Sequence, residues 1–125
     1  MLCPCGSGVL MTACCGRYLA GTAVPASAEL LMRSRYTAFK QLNEAYLLAT
    51  WHPATRPQQL QLLKETPRPQ WTGLTVLSQQ LQDATHATVE FVARHKINGR
   101  AYRLHETSRF VQDAGCWFYV DGDIH

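Results

Sequence analysis

The hydrophobic pattern of this chain changes period once. From Leu30 to Leu42 the apolar side chains Leu31, Met32, Tyr36, Ala38, Phe39 and Leu42 recur at helical spacing, with Arg35 on the same stripe. Ser27 stands where an N-cap belongs, and Glu29 falls in the first turn. The spacing predicts a helix over Leu30–Lys40 whose apolar face needs a large partner, most simply a sheet. Asn43 can cap a second short helix, Glu44–Thr50, ended by Trp51-His52-Pro53 because Pro53 disfavours the helical conformation at His52. Pro57 predicts a third helix, Gln58–Glu65, carrying Leu60, Leu62 and Leu63. From Trp71 the period falls to two. Trp71–Ser78, Ala87–Ile97, Arg100–Val111 and Cys116–Asp121 read as strands, with Asn98-Gly99 as a hairpin turn. Helices followed by an antiparallel meander predict an α+β fold with helices covering one face of a sheet.

Pairing these strands predicts a face. A two-residue turn at Asn98-Gly99 puts Phe91 opposite Glu106 and Val89 opposite Ser108. A four-residue loop over Gln112–Gly115 puts Phe110 opposite Trp117, Ser108 opposite Tyr119 and Glu106 opposite Asp121. One face is then largely apolar, with Glu106, Asp121, Ser108 and Tyr119 gathered at one end; Tyr36, Trp51 and His52 can join from the helices. Glu90, His105, Thr107, Arg109 and Phe118 take the other face. Two opposed carboxylates can share a proton and do acid–base work. Equally, Glu106 or Asp121 can be neutralised by Arg33, Arg35 or Arg109. No nucleophile–base pair or cofactor motif accompanies them, so no catalytic residue is assigned.

Composition narrows the class. With 125 residues, 46% of them hydrophobic and 17% charged, the chain suits one soluble globular core. A net charge of +3 is too mild for a nucleic-acid footprint. Arg94, Lys96, Arg100 and Arg103 around the Asn98-Gly99 tip are the one basic patch that could meet RNA or a ribosome, and a solvated hairpin accounts for them as well. No apolar run approaches the ~20 residues of a membrane span, and the N-terminal residues carry no signal-peptide pattern, so the reducing cytoplasm is expected. Of five cysteines, four lie in the first fifteen residues: Cys3, Cys5, Cys14 and Cys15. Two close pairs of thiolates suit one tetrahedral ion, and four ligands close the shell, which is structural rather than catalytic. A redox centre and a set of unmetallated thiols are the other readings of these residues. Cys116 stands alone in a strand, His52 at a helix end suits a hydrogen bond to a helix-end carbonyl, and His86, His95, His105 and His125 have no ligand spacing to one another.

The pattern Cys3-Pro4-Cys5-Gly6-Ser7-Gly8…Cys14-Cys15 resembles the SEC-C motif, the zinc-binding tail first known from the SecA translocation motor. Leu31-Met32-Arg33-Ser34-Arg35-Tyr36-Thr37-Ala38-Phe39, Thr50-Trp51-His52-Pro53, Glu106-Thr107-Ser108-Arg109-Phe110 and Trp117-Phe118-Tyr119-Val120-Asp121-Gly122 resemble the YchJ family of uncharacterised bacterial proteins. The resemblance implies a cone like that of nuclear transport factor 2, with N-terminal helices on a curved antiparallel sheet. It also implies Zn2+ on the four cysteines and, by analogy with SecA, a protein partner docked on the knuckle. The expectation is a zinc knuckle over residues 1–20 and a cone domain over 21–125, acting as a zinc-binding accessory protein. The alternative expectation is a small-molecule binder or enzyme using a cone pocket lined by Tyr36, Trp51, His52, Glu106, Ser108, Trp117, Tyr119 and Asp121.

Overall fold

The computed structural model describes residues 1–125. Three helices precede a four-stranded sheet: α1 (Cys15–Leu19), α2 (Ala28–Lys40), α3 (Glu44–Ala49), then β1 (Gln70–Leu81), β2 (His86–Ile97), β3 (Arg100–Asp113) and β4 (Cys116–Ile124). All neighbours are antiparallel and the strand order is β1-β2-β3-β4, the predicted meander.

The long helix begins where its cap is. Ser27 Oγ accepts from the Leu30 N–H at 3.2 Å, and Gln79 Oε1 accepts from the Glu29 N–H at 2.8 Å, so β1 helps to satisfy the free donors of the first turn. Ala28, Leu31, Met32 and Tyr36 lie on Ala87, Val89, Phe91 and Ala93 of β2, with Phe110 and Trp117 from β3 and β4 closing the core. Asn43 Oδ1 caps α3 through the Tyr46 N–H at 3.1 Å. Beyond α3 the chain bridges to β4 in parallel: the His52 N–H donates to Tyr119 O at 2.8 Å, and the Tyr119 N–H to Thr50 O at 2.9 Å. This bridge sets Trp51 beside the sheet.

Three expectations need correction. Residues 17–26, where Gly21, Pro25 and the small residues between them suggest a linker, begin inside α1, where Tyr18 is buried. The predicted helix Gln58–Glu65 is absent; only Leu62–Lys64 makes a 3₁₀ turn, after Gln61 at φ 60°. The Glu44 carboxylate accepts from the Leu60 and Leu62 N–H groups at 3.2 and 3.1 Å. Donors committed to a distant side chain hold the segment open, while Leu62 is buried against Ala38 and Leu47.

The third correction concerns register. The β2–β3 pairing is as predicted, with Ile97 opposite Arg100 and Phe91 opposite Glu106. The β3–β4 turn is shorter: Asp113 pairs with Cys116 across Ala114 and Gly115, both at positive φ. Phe110 therefore faces Tyr119, not Trp117. A bulge after Arg109 then shifts the register, so Arg109 pairs with Asp121, Ser108 with Gly122 and Glu106 with Ile124. One extra residue moves Asp121 to the face opposite Glu106.

Candidate metal centre and cone pocket

The first fifteen residues fold back on themselves through a bridge between Leu2 and Leu10. The Cys3 N–H donates to Val9 O at 2.8 Å, and the Met11 N–H to Met1 O at 3.0 Å. Gly6 turns the chain at φ 81°, and a Cβ there would stand 3.0 Å from Leu74 O. A 3₁₀ turn at Met11–Ala13 then delivers Cys14, and Cys15 opens α1.

These folds converge four sulfurs. Cys3, Cys5, Cys14 and Cys15 are at most 6% exposed, and their Sγ atoms lie within 4.8 Å of one another. Cys5 and Cys14 are 3.7 Å apart and Cys14 and Cys15 are 4.0 Å apart, and all four are free thiols. A tetrahedral ion with metal–sulfur bonds of about 2.3 Å requires sulfurs about 3.8 Å apart. The donor set therefore fits one metal ion with a closed shell. Outer partners are also present: Ser7 Oγ is 3.2 Å from Cys14 Sγ, and Thr37 Oγ1 on α2 is 3.8 Å from Cys3 Sγ. Arg33 on α2 donates to Cys5 O at 2.7 Å, fastening the loop to the helix.

The electrostatics agree. Cys15, as a hydrogen-bond partner, holds the Cys5 thiol well below its ordinary range. Burial pushes Cys14 up, and the bond to Cys5 pushes Cys15 up. A cation among the four sulfurs would favour their ionised forms together.

A cavity of about 280 Å³ opens between α2 and the sheet. Of the predicted pocket residues, Tyr36, Trp51, Glu106, Ser108 and Tyr119 line it, beside Phe91 and Phe110. Trp117 is on the same face but is packed into the core. His52 lies outside, its ring against Phe118 with centroids 5.8 Å apart and its Nε2 3.5 Å from Asp113. Asp121 also lies outside, accepting from Arg109 Nε at 2.5 Å, while Arg109 Nη1 donates to Asp123 at 2.7 Å. The carboxylate pair read from the sequence does not exist in this register. Glu106 instead accepts from the Ser108 hydroxyl at 2.5 Å. Gly122 leaves it room, since a Cβ there would stand 2.9 Å from the Glu106 Cδ.

Two groupings escaped the sequence reading. Arg35, placed on the apolar stripe of α2, is 5% exposed and lines the cavity. Its position among hydrophobic residues at helical spacing was the available signal. Glu90, His105 and His125 also converge within 4.8 Å on the outer face of the sheet. There Glu90 Oε2 lies 2.7 Å from His105 Nε2, and the two histidine rings stack at 4.4 Å. The predicted strand end at Asp121 hid this, because β4 continues to Ile124 and the His125 N–H donates to His105 O at 2.8 Å. The basic residues Arg94, Lys96, Arg100 and Arg103 are all exposed near the β2–β3 tip.

The pocket carries its own pH signature. Burial first, and then the Glu106 charge, push the Tyr119 phenol up to about 12. An unfolded tyrosine ionises near 10, so the folded state holds the proton longer. This contribution to stability is fully present below pH ~10 and is lost as pH rises through ~12. Absorbance titration of the phenolates should show Tyr119→Phe lacking one late-titrating tyrosine. A difference curve centred near pH ~10 would contradict the burial of this group.

Comparison with known proteins gives a consistent set of likenesses. A family model described as "YchJ, middle NTF2-like domain" matches residues 27–122. A UPF0225 protein of Ralstonia nicotianae is 55% identical over 131 aligned residues, covering 98% of this chain and 90% of that protein. The solution structure of a SEC-C motif containing protein from Rhodopseudomonas palustris superimposes with a TM-score of 0.87 at 34% identity, covering 98% of both chains. The crystal structure of a SEC-C motif containing protein from Psychrobacter arcticus gives a TM-score of 0.80 at 29% identity, covering 98% of this chain and 82% of the other.

Proposed function

The chain belongs to the YchJ family, and on that premise we propose that it is a zinc-binding accessory protein. In this reading residues 1–20 form a zinc knuckle ahead of a cone domain spanning 21–125. Cys3, Cys5, Cys14 and Cys15 hold one Zn2+, which when bound supplies a cross-link and the positive charge that four buried thiolates require. The closed shell makes the ion structural, so its work is to hold a surface in shape.

One observation supports a docking surface. Met1, Leu2, Val9 and Leu10 are 97%, 62%, 43% and 53% exposed, on the two segments joined by the Leu2–Leu10 bridge. Grouped exposed apolar side chains mark interaction sites. Residues 1–16 contain no charged side chain, so the patch offers no cationic side chain to phosphate groups of RNA or of an anionic lipid surface. An apolar protein surface is its natural complement.

The test keeps the metal and removes the patch. A Leu2→Glu/Leu10→Glu variant should retain about one zinc per chain by elemental analysis, as four thiolates on one ion require, and should lose the partner captured by the wild-type chain. An unchanged partner set would refute docking. Wild-type protein that refuses zinc with its thiols reduced would refute the metal.

A further inference from the structure

We infer that the cone pocket is a binding site for a small apolar carboxylate, with Arg35 as the anchor of its charged end. This goes beyond the knuckle reading and does not depend on it. Arg35 is nearly buried, yet no carboxylate is hydrogen-bonded to it. Its Nη1 donates to Leu47 O and to Thr50 Oγ1, both at 2.7 Å. Those two bonds use the Nη1 hydrogens. The Nε–H and the two hydrogens of Nη2 have no protein acceptor, and together they form one bidentate edge of the guanidinium.

The plane of that guanidinium is fixed. Its carbon lies 4.5 Å from the Tyr119 ring centre and 5.2 Å from that of Trp51, and these two rings meet edge to face at 4.9 Å. Burial draws the Arg35 pKa down to about 10, which leaves it charged at neutral pH. A buried cation with spare donors beside an empty apolar volume is costly unless an anion completes it. Glu106 lines the same cavity and its charge offsets part of the burial cost of Arg35, but its short hydrogen bond goes to Ser108 and it makes none to the guanidinium.

The walls define the remainder of the ligand. Ten of the thirteen lining residues are hydrophobic, and the volume is at the small end of ligand sites. One cation facing one carboxylate cannot accommodate a phosphate dianion. A monoanionic carboxylate on an aromatic or branched apolar body fits, and an O–H or N–H on that body can meet Glu106.

The experiment uses the metal-loaded full chain and three probes of nearly equal shape: phenylacetate, phenylacetamide and 2-phenylethylamine. Ligand-observed NMR at pH 7 should give phenylacetate a dissociation constant on the order of 1 mM, which about ten non-hydrogen atoms can deliver. The amide and the amine should bind at least about tenfold more weakly. Arg35→Gln should remove that preference. Leu104→Trp, which fills the cavity and keeps the Arg35 side chain, should abolish phenylacetate binding, and it supplies the answer if Arg35→Gln does not fold. The proposal is overturned if no probe binds, if the amide or amine binds as well as the acid, or if phenylacetate binding survives Leu104→Trp.

Discussion

Stripping the proposed zinc, by chelation or through Cys15→Ser, is expected to unfold the first twenty residues and to lower the melting temperature by more than about 10 °C. Cys15 is fully buried and lies among three other thiols. The segment around them has little apolar support: Met11, Leu19 and, from β1, Leu74 pack on the cysteines, and Tyr18 is buried in α1. A peptide this short cannot fold on such a core without a cross-link. Structural zinc contributes roughly 10–16 kcal/mol in isolated fingers, so the loss here is limited mainly by what the knuckle gives to the remainder of the chain. That contribution runs through α2, where Thr37 meets Cys3 and Arg33 holds Cys5 O. Amide exchange should localise the effect. The Cys3 and Met11 N–H groups, bonded to Val9 O and Met1 O, should lose protection while the β2–β3 ladder keeps most of its own. A chelated protein with the same melting temperature and a protected Cys3 amide would remove the metal from the folding argument.

Leu31→Ala should cost about 3–5 kcal/mol, the upper range for a buried leucine. Leu31 is 1% exposed and sits in the α2–β2 core with Val89 and Phe91. The surrounding sheet cannot close over the void, because Val89 is pinned by pairing to Gln79 on one side and Ser108 on the other. For a chain of this size the loss corresponds to a fall of roughly 10–20 °C, measurable by calorimetry. A change below about 1 kcal/mol would mean that α2 does not carry the core.

The two experiments separate two ways of stabilising one chain. Residues around α2 are held by apolar area removed from water, a term spread over many contacts. In the proposed reading the knuckle depends on one ion and four ligands, so it should fail at a single substitution. Both meet on α2, whose inner face carries Leu31 and Met32 and whose other side reaches the knuckle through Arg33 and Thr37.

Local patterns were enough to find much of this molecule. The α2 stripe, the Ser27 and Asn43 caps and the Asn98-Gly99 hairpin are short-range signals, and each appears at its expected place. The four clustered cysteines are also near in sequence, so their convergence needed no knowledge of the distant chain. The helix expected over Gln58–Glu65 failed because its donors go to Glu44, sixteen and eighteen residues earlier. Nothing within the segment announces that partner.

The pocket shows the same division more sharply. Side-chain alternation put Glu106, Ser108, Phe110 and Tyr119 on one face, and that face survives in the structure. One bulged residue in β4 sent Asp121 outward to Arg109, because a period of two inverts every later position after a single insertion. The parallel bridge from Thr50–His52 to Tyr119 set Trp51 over Arg35, while His52 turned away to Phe118. By itself the sequence determined the long helix, its cap, the strands and the cysteine cluster, since these rest on neighbours a few residues apart. Only the tertiary structure decided which charges share the cavity, because register and strand-to-helix contacts join residues that no local pattern connects.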